Sequence, residues 1–62
     1  MGLRLRVVRQ KKGFSLRDLA AKAKVDFSTI YRIEAGKVIP RLDTLERLAK
    51  ALGVPVTELL GK

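Results

Sequence analysis

The sequence predicts an all-α fold, a compact bundle of five short helices. Two observations carry this. Apolar residues recur at intervals of three and four, as on one face of a helix, and show no alternating pattern of the kind a strand requires. Glycines at 13, 36 and 53 and prolines at 40 and 55 cut the chain into pieces too short for more than a few helical turns each. A chain of 62 residues reads as a single domain spanning 1–62. A domain this small buries only about 60% of the surface exposed by its unfolded chain, so each core residue counts.

The first helix is expected from about Leu3 to Lys12, with Leu5 and Val8 facing the core, Leu3 at its margin and Gly13 as a left-handed stop. Ser15 caps a second helix over Leu16–Ala23, and Asp18, three residues later, completes a capping box with Asp in place of Glu. Leu19, Ala20 and Ala23 point inward. A third helix follows Asp26, whose carboxylate can accept from the free amides of the first turn. Val25 and Ile30 form a hydrophobic staple, Ile30 and Ile33 form the buried stripe, and Gly36 ends the helix. The fourth helix runs from about Leu42 to Leu52, with Leu42, Leu45, Leu48, Ala49 and Leu52 at core spacing, and stops at Gly53. Pro55 opens a final short helix, Val56–Leu60.

The net charge of +8 is distributed unevenly. Residues 1–41 hold eleven Lys and Arg against three acids, whereas residues 42–62 hold three of each sign. The whole excess therefore lies in the first two thirds, which points to a polyanionic partner. With neither Cys nor His, disulfides, Cys-based zinc sites and the Ser-His and Cys-His arrangements of nucleophilic catalysis are excluded. The carboxylates show no convincing metal-binding spacing. The residue set does not suggest an enzyme, and no cofactor or metal is expected. The longest apolar runs are a few residues, too short for a signal peptide or a membrane span, and a soluble, cytoplasmic protein is the expectation.

Only Lys24 and Val25 separate the second helix from the Asp26 cap of the third. So short a link forces a sharp turn, and small Ala20 lets the two helices approach closely. This is the pattern of a helix-turn-helix, in which the second helix of the pair enters the major groove of DNA. The segments LRVVRQKKGFS, LRDLAAKAKVDFSTIYRIEAGK and PRLDTLERLAKALGVPVTELL carry the comparison further. Together they resemble the lambda-repressor-like, Cro/CI-type family of helix-turn-helix domains (the xenobiotic-response-element family), in order and spacing and over essentially the whole chain.

The resemblance implies that the third helix is the recognition helix and that Phe27, Ser28, Thr29, Tyr31 and Arg32 hold its contacting positions. Their chemistry suits the task. Arg32 can pair with guanine O6 and N7, Phe27 can lie on a thymine methyl, and Ser28 and Thr29 can bond bases or phosphates. Tyr31 can pack against sugar and reach a phosphate. Other readings stand beside these. Phe27 can lean over the neighbouring helix as a partly buried residue, Tyr31 and Arg32 can be solvated, and Thr29 lies near the core flank.

Ser15, Leu16 and Arg17 occupy the start of the second helix, where the resemblance implies phosphate contact through amides and dipole. Leu16 departs from the Gln often found there, and Lys24 from the Gly usual in the turn. Lys37 looks like a phosphate contact. Arg41 stands where a helix cap is common, so the fourth helix begins without one, and Arg41 can instead reach phosphate or the minor groove. Arg9 and Glu34 match a structural ion pair joining the first and third helices.

The functional expectation is a sequence-specific DNA-binding transcriptional regulator, most plausibly a repressor, associated with the nucleoid. It would pair as a homodimer at least on double-stranded DNA, with self-contact through Val54, Val56, Leu59 or Leu60. The competing reading is an antitoxin-type interaction module of the same fold with a protein partner. A third reading is nonspecific nucleic-acid binding.

Overall fold

The computed structural model describes residues 4–60. Four α-helices run in order: α1 Leu5–Lys11, α2 Leu16–Ala23, α3 Phe27–Glu34 and α4 Leu42–Leu52. A 3-10 helix, Val56–Leu59, closes the chain. No strand occurs among the described residues. The last element is thus a tighter 3-10 turn where an ordinary helix was expected, four residues being too few to repeat the α-helical bond pattern. The expected start of the first helix at Leu3 lies outside the described residues.

The core consists of Leu5 and Val8 from α1, Leu19 and Ala23 from α2, Ile30 and Ile33 from α3, four α4 residues and Leu59. The α4 contribution is Leu45, Leu48, Ala49 and Leu52. Leu42, expected with them, is 65% exposed. It is the first residue of α4, and because helical side chains lean toward the N-terminus it is directed past the end of the helix and takes no part in the buried cluster. Ala20 is half-buried against the core, which matches a small residue at a close crossing. The 3-10 helix packs on α4 and α1, and the Arg4 amide donates to the Leu59 carbonyl at 2.9 Å, tying the two ends of the fold together.

All four helices end in the same way. The amides of Phe14, Val25, Lys37 and Val54 each donate back five residues, to the carbonyls of Arg9, Ala20, Arg32 and Ala49. In every case the preceding residue is left-handed. This is the Schellman ending, in which an apolar residue just past the left-handed position normally packs back on the helix. Phe14, Val25 and Val54 do so. Lys37 instead leaves an exposed charge at the end of α3. The left-handed residue is Gly in three endings and Lys24 in the fourth, with φ 58° and ψ 43°. The turn between α2 and α3 therefore keeps the geometry that glycine normally supplies, at a cost of about 1–2 kcal/mol for a residue with a Cβ.

A charged network locks α1 to α3. Arg9 donates through Nε to Glu34 Oε2 at 2.7 Å and through Nη2 to Oε1 at 3.1 Å. Its Nη1 donates to the Phe14 carbonyl at 2.8 Å, so one guanidinium also holds the chain leaving α1. The side chains of Arg9 and Glu34 are 10% and 2% exposed. This is the pair that the family resemblance implies. Arg6, whose Nε meets Glu34 Oε1 at 3.3 Å from a largely exposed position, is a third member.

Candidate nucleic-acid interface

The α2–turn–α3 unit is built from local signals. At its start, the Ser15 side chain accepts from the Asp18 amide at 3.0 Å, and the Asp18 carboxylate accepts from the Ser15 amide at 3.2 Å. Both halves of the capping box are formed, with Asp reaching as Glu would. At its end, Ile30 and Ile33 anchor α3 in the core, and Val25 packs beside them ahead of the helix. Burying one side of an eight-residue helix leaves the other side fixed in orientation and open.

That open side carries Phe27, Ser28, Tyr31 and Arg32, all exposed. Phe27 and Tyr31 are 40% and 53% exposed, a large aromatic area to leave in water without a partner. The Arg17 guanidinium stands 5.0 Å from the centre of the Phe27 ring. This cation–π contact joins the start of α2 to the start of α3, the two expected DNA-facing points, and spacing in the sequence gave no sign of it. Phe27 thus leans toward α2, as one sequence reading allowed, while part of its surface stays accessible.

The other expected site residues divide. Ser15, Arg17, Lys37 and Arg41 are exposed, with Lys37 just past α3 and Arg41 immediately before α4. Arg41 makes no side-chain cap bond, so α4 begins uncapped, as its sequence implies. Thr29 is half-buried on the core flank. Leu16 is half-buried and packs against the core, which gives it a packing role that the expectation of a DNA contact did not include.

Asp26 differs from its expectation. Its side chain caps no backbone amide of α3. The carboxylate accepts instead from the Ser28 hydroxyl. The Ser28 hydroxyl and the α3 amides are alternative donors to this carboxylate, and a hydroxyl two residues away can rotate to meet it where a fixed amide cannot.

Among the described residues no three His, Cys, Asp or Glu side chains converge to hold a metal ion. Among these residues, no helix is long and apolar enough to cross a membrane.

The family model described as helix-turn-helix matches residues 5–59, and the chain belongs to this family. Three curated relatives place that membership more closely. The chain is 39% identical over 57 residues to the HTH-type transcriptional regulator DdrOP3 of Deinococcus deserti, covering 92% of this chain and 44% of the relative. It is 34% identical over 62 residues to the immunity repressor protein of Bacillus phage phi105, covering 100% of this chain and 43% of the repressor. It is 36% identical over 61 residues to the HTH-type transcriptional regulator PuuR of Escherichia coli, covering 98% of this chain and 33% of PuuR. The chain therefore spans less than half the length of these relatives.

Two solved structures share the fold over most of the chain. The restriction-modification controller protein C.AhdI of Aeromonas hydrophila superposes with a TM-score of 0.88 at 35% identity, covering 92% of this chain and 86% of the controller. The hypothetical transcription factor NHTF of Neisseria gives a TM-score of 0.86 at 31% identity, covering 94% and 67%.

Proposed function

We propose that this domain binds double-stranded DNA in a sequence-specific manner and acts as a transcriptional regulator, as a repressor in the first instance. The observation that carries the reading is the orientation of α3. Its isoleucines are buried, while Phe27, Ser28, Tyr31 and Arg32 face outward from the second helix of a helix-turn-helix. Arg32 reads a guanine edge, and Phe27 and Tyr31 supply apolar contact to bases and sugars. Arg17 and Lys37 sit at the two ends of the unit and meet phosphates, with Ser15 and the first-turn amides of α2 beside Arg17. Arg41 adds charge at the start of α4. The excess of basic residues in 1–41 supplies the salt-dependent part of the affinity. Such a function places the protein with the chromosome in the cytoplasm.

One short recognition helix reads only a few base pairs. Selectivity then needs two copies on half-sites about 34 Å apart, one helical turn of DNA. Of the residues expected to make the self-contact, Leu59 is fully buried and is not available to it. Val54 and Val56 are half-buried and Leu60 is exposed, leaving a small surface suited to pairing on DNA.

The test is selection of binding sites from random duplex DNA with the purified domain. The expected result is an enriched motif with two-fold symmetry and a spacing of one helical turn. Recovery of unenriched sequences at physiological salt would reduce the activity to nonspecific binding.

A further inference from the structure

We propose that Asp26 sets part of the base preference of α3 by holding the Ser28 hydroxyl as a pure hydrogen-bond acceptor. The inference rests on the reading that α3 enters the major groove.

Serine carries one hydroxyl hydrogen and two lone pairs, so it ordinarily presents a donor or an acceptor as its partner demands. An ionised carboxylate has no hydrogen to give. The contact between Ser28 Oγ and Asp26 Oδ2 therefore spends the single Ser28 hydrogen within the protein. What Ser28 turns outward is lone pairs alone. The Asp26 carboxylate is free to hold this hydrogen because it makes no cap bond to the backbone of α3. Both residues are exposed at the first turn, the part of a recognition helix that meets base edges in this class of fold.

The chemistry of the groove makes the consequence specific. Adenine N6 and cytosine N4 offer hydrogens in the major groove, whereas guanine O6 and N7 and thymine O4 accept them. A serine locked as an acceptor pairs with adenine or cytosine and meets guanine or thymine with lone pair against lone pair. It also cannot donate to a phosphate oxygen, so Ser28 contributes to reading rather than to anchoring. Asp26 acts through Ser28 and is a positioning residue.

The test compares wild type, Asp26→Ala and Ser28→Ala on the site that wild type selects, with all four bases substituted at each position and circular dichroism to confirm folding. Wild type is expected to favour adenine or cytosine over guanine and thymine at one position per half-site by about fivefold, the worth of one hydrogen bond. Asp26→Ala removes the acceptor and frees the Ser28 hydroxyl to donate. Its preference at that position should broaden to include guanine or thymine, and Ser28→Ala should flatten the same position. Loss of the Asp26 charge raises affinity for every DNA, so the ratios among bases are the readout.

An unchanged ranking of bases in Asp26→Ala would overturn the proposal. So would a preference that survives Ser28→Ala but not Asp26→Ala, since Asp26 would then touch the base itself. If wild type showed no base preference at any position, the sequence-specific function would fail as well, and the wild-type arm alone distinguishes that case.

Discussion

Arg32 and Lys37 lie five residues apart and carry the same charge, yet their surroundings assign them different work. Arg32 stands on the open side of α3. Lys37 stands beyond the helix, at the one Schellman ending whose outer residue is not apolar and packed. A charge at a position that favours a hydrophobic contact gives up local stability, which fits a residue kept for phosphate. Lys37→Ala should then weaken binding to preferred and scrambled DNA alike. It should also make the slope of log affinity against log salt shallower by about one per subunit. Glu34 represents the opposite case. Its carboxylate is enclosed and held by Arg9 and Arg6, so Glu34→Ala strands the Arg9 guanidinium in the interior. The expected loss is about 3–5 kcal/mol. That is comparable with the whole stability of so small a domain. Urea denaturation followed by circular dichroism measures it, and a loss under about 1 kcal/mol would mean the pair is solvated. The Arg9–Glu34 pair was legible because the family motif names both positions. Arg6 and the Asp26–Ser28 contact were not, because rotamer choice across a turn leaves no periodic trace.

The helices themselves follow from punctuation and periodicity. Gly13, Gly36 and Gly53 end three of them where the sequence puts the stops, and the apolar spacing identifies ten of the eleven core residues; the eleventh is Leu59, first placed in a self-contact that left room for a core role. The failures fall at ends. Leu42 continues the α4 stripe but stays exposed at the first residue of the helix, and the final helix is a 3-10 turn. Periodicity describes one helix at a time and is silent about how far the adjacent helix extends. The α2–α3 turn offers a direct stability test. Lys24 is the sole described residue other than glycine with positive φ. Lys24→Gly relieves that strain, offset in part by the greater freedom of glycine in the unfolded chain. A net gain of about 1 kcal/mol should raise the melting temperature by about 4–8 °C. A fall in melting temperature would mean that the Lys24 side chain makes up for its backbone.

The molecule as a whole divides into a buried layer that fixes α3 and a basic outer layer that α3 shares with Arg17, Lys37 and Arg41. Side chains outside both layers should matter little to folding. Ile39 is 95% exposed, and Ile39→Ser should change stability by no more than about 0.5 kcal/mol in thermal unfolding. A larger loss would show that the loop before α4 packs more closely than its exposure indicates. Base reading by α3 is what separates a specific regulator from a basic protein that merely adheres to DNA. Arg32→Ala tests it most directly, because the side chain lies outside the apolar core and its loss should leave the fold intact. The measurement is the affinity of folded wild type and Arg32→Ala for the selected site and for a scrambled duplex, each across a salt titration. The account predicts a loss of about 1–3 kcal/mol on the selected site, a smaller loss on the scrambled one, and flattened discrimination at one base position per half-site. Equal losses on both duplexes would contradict it and make Arg32 a phosphate contact.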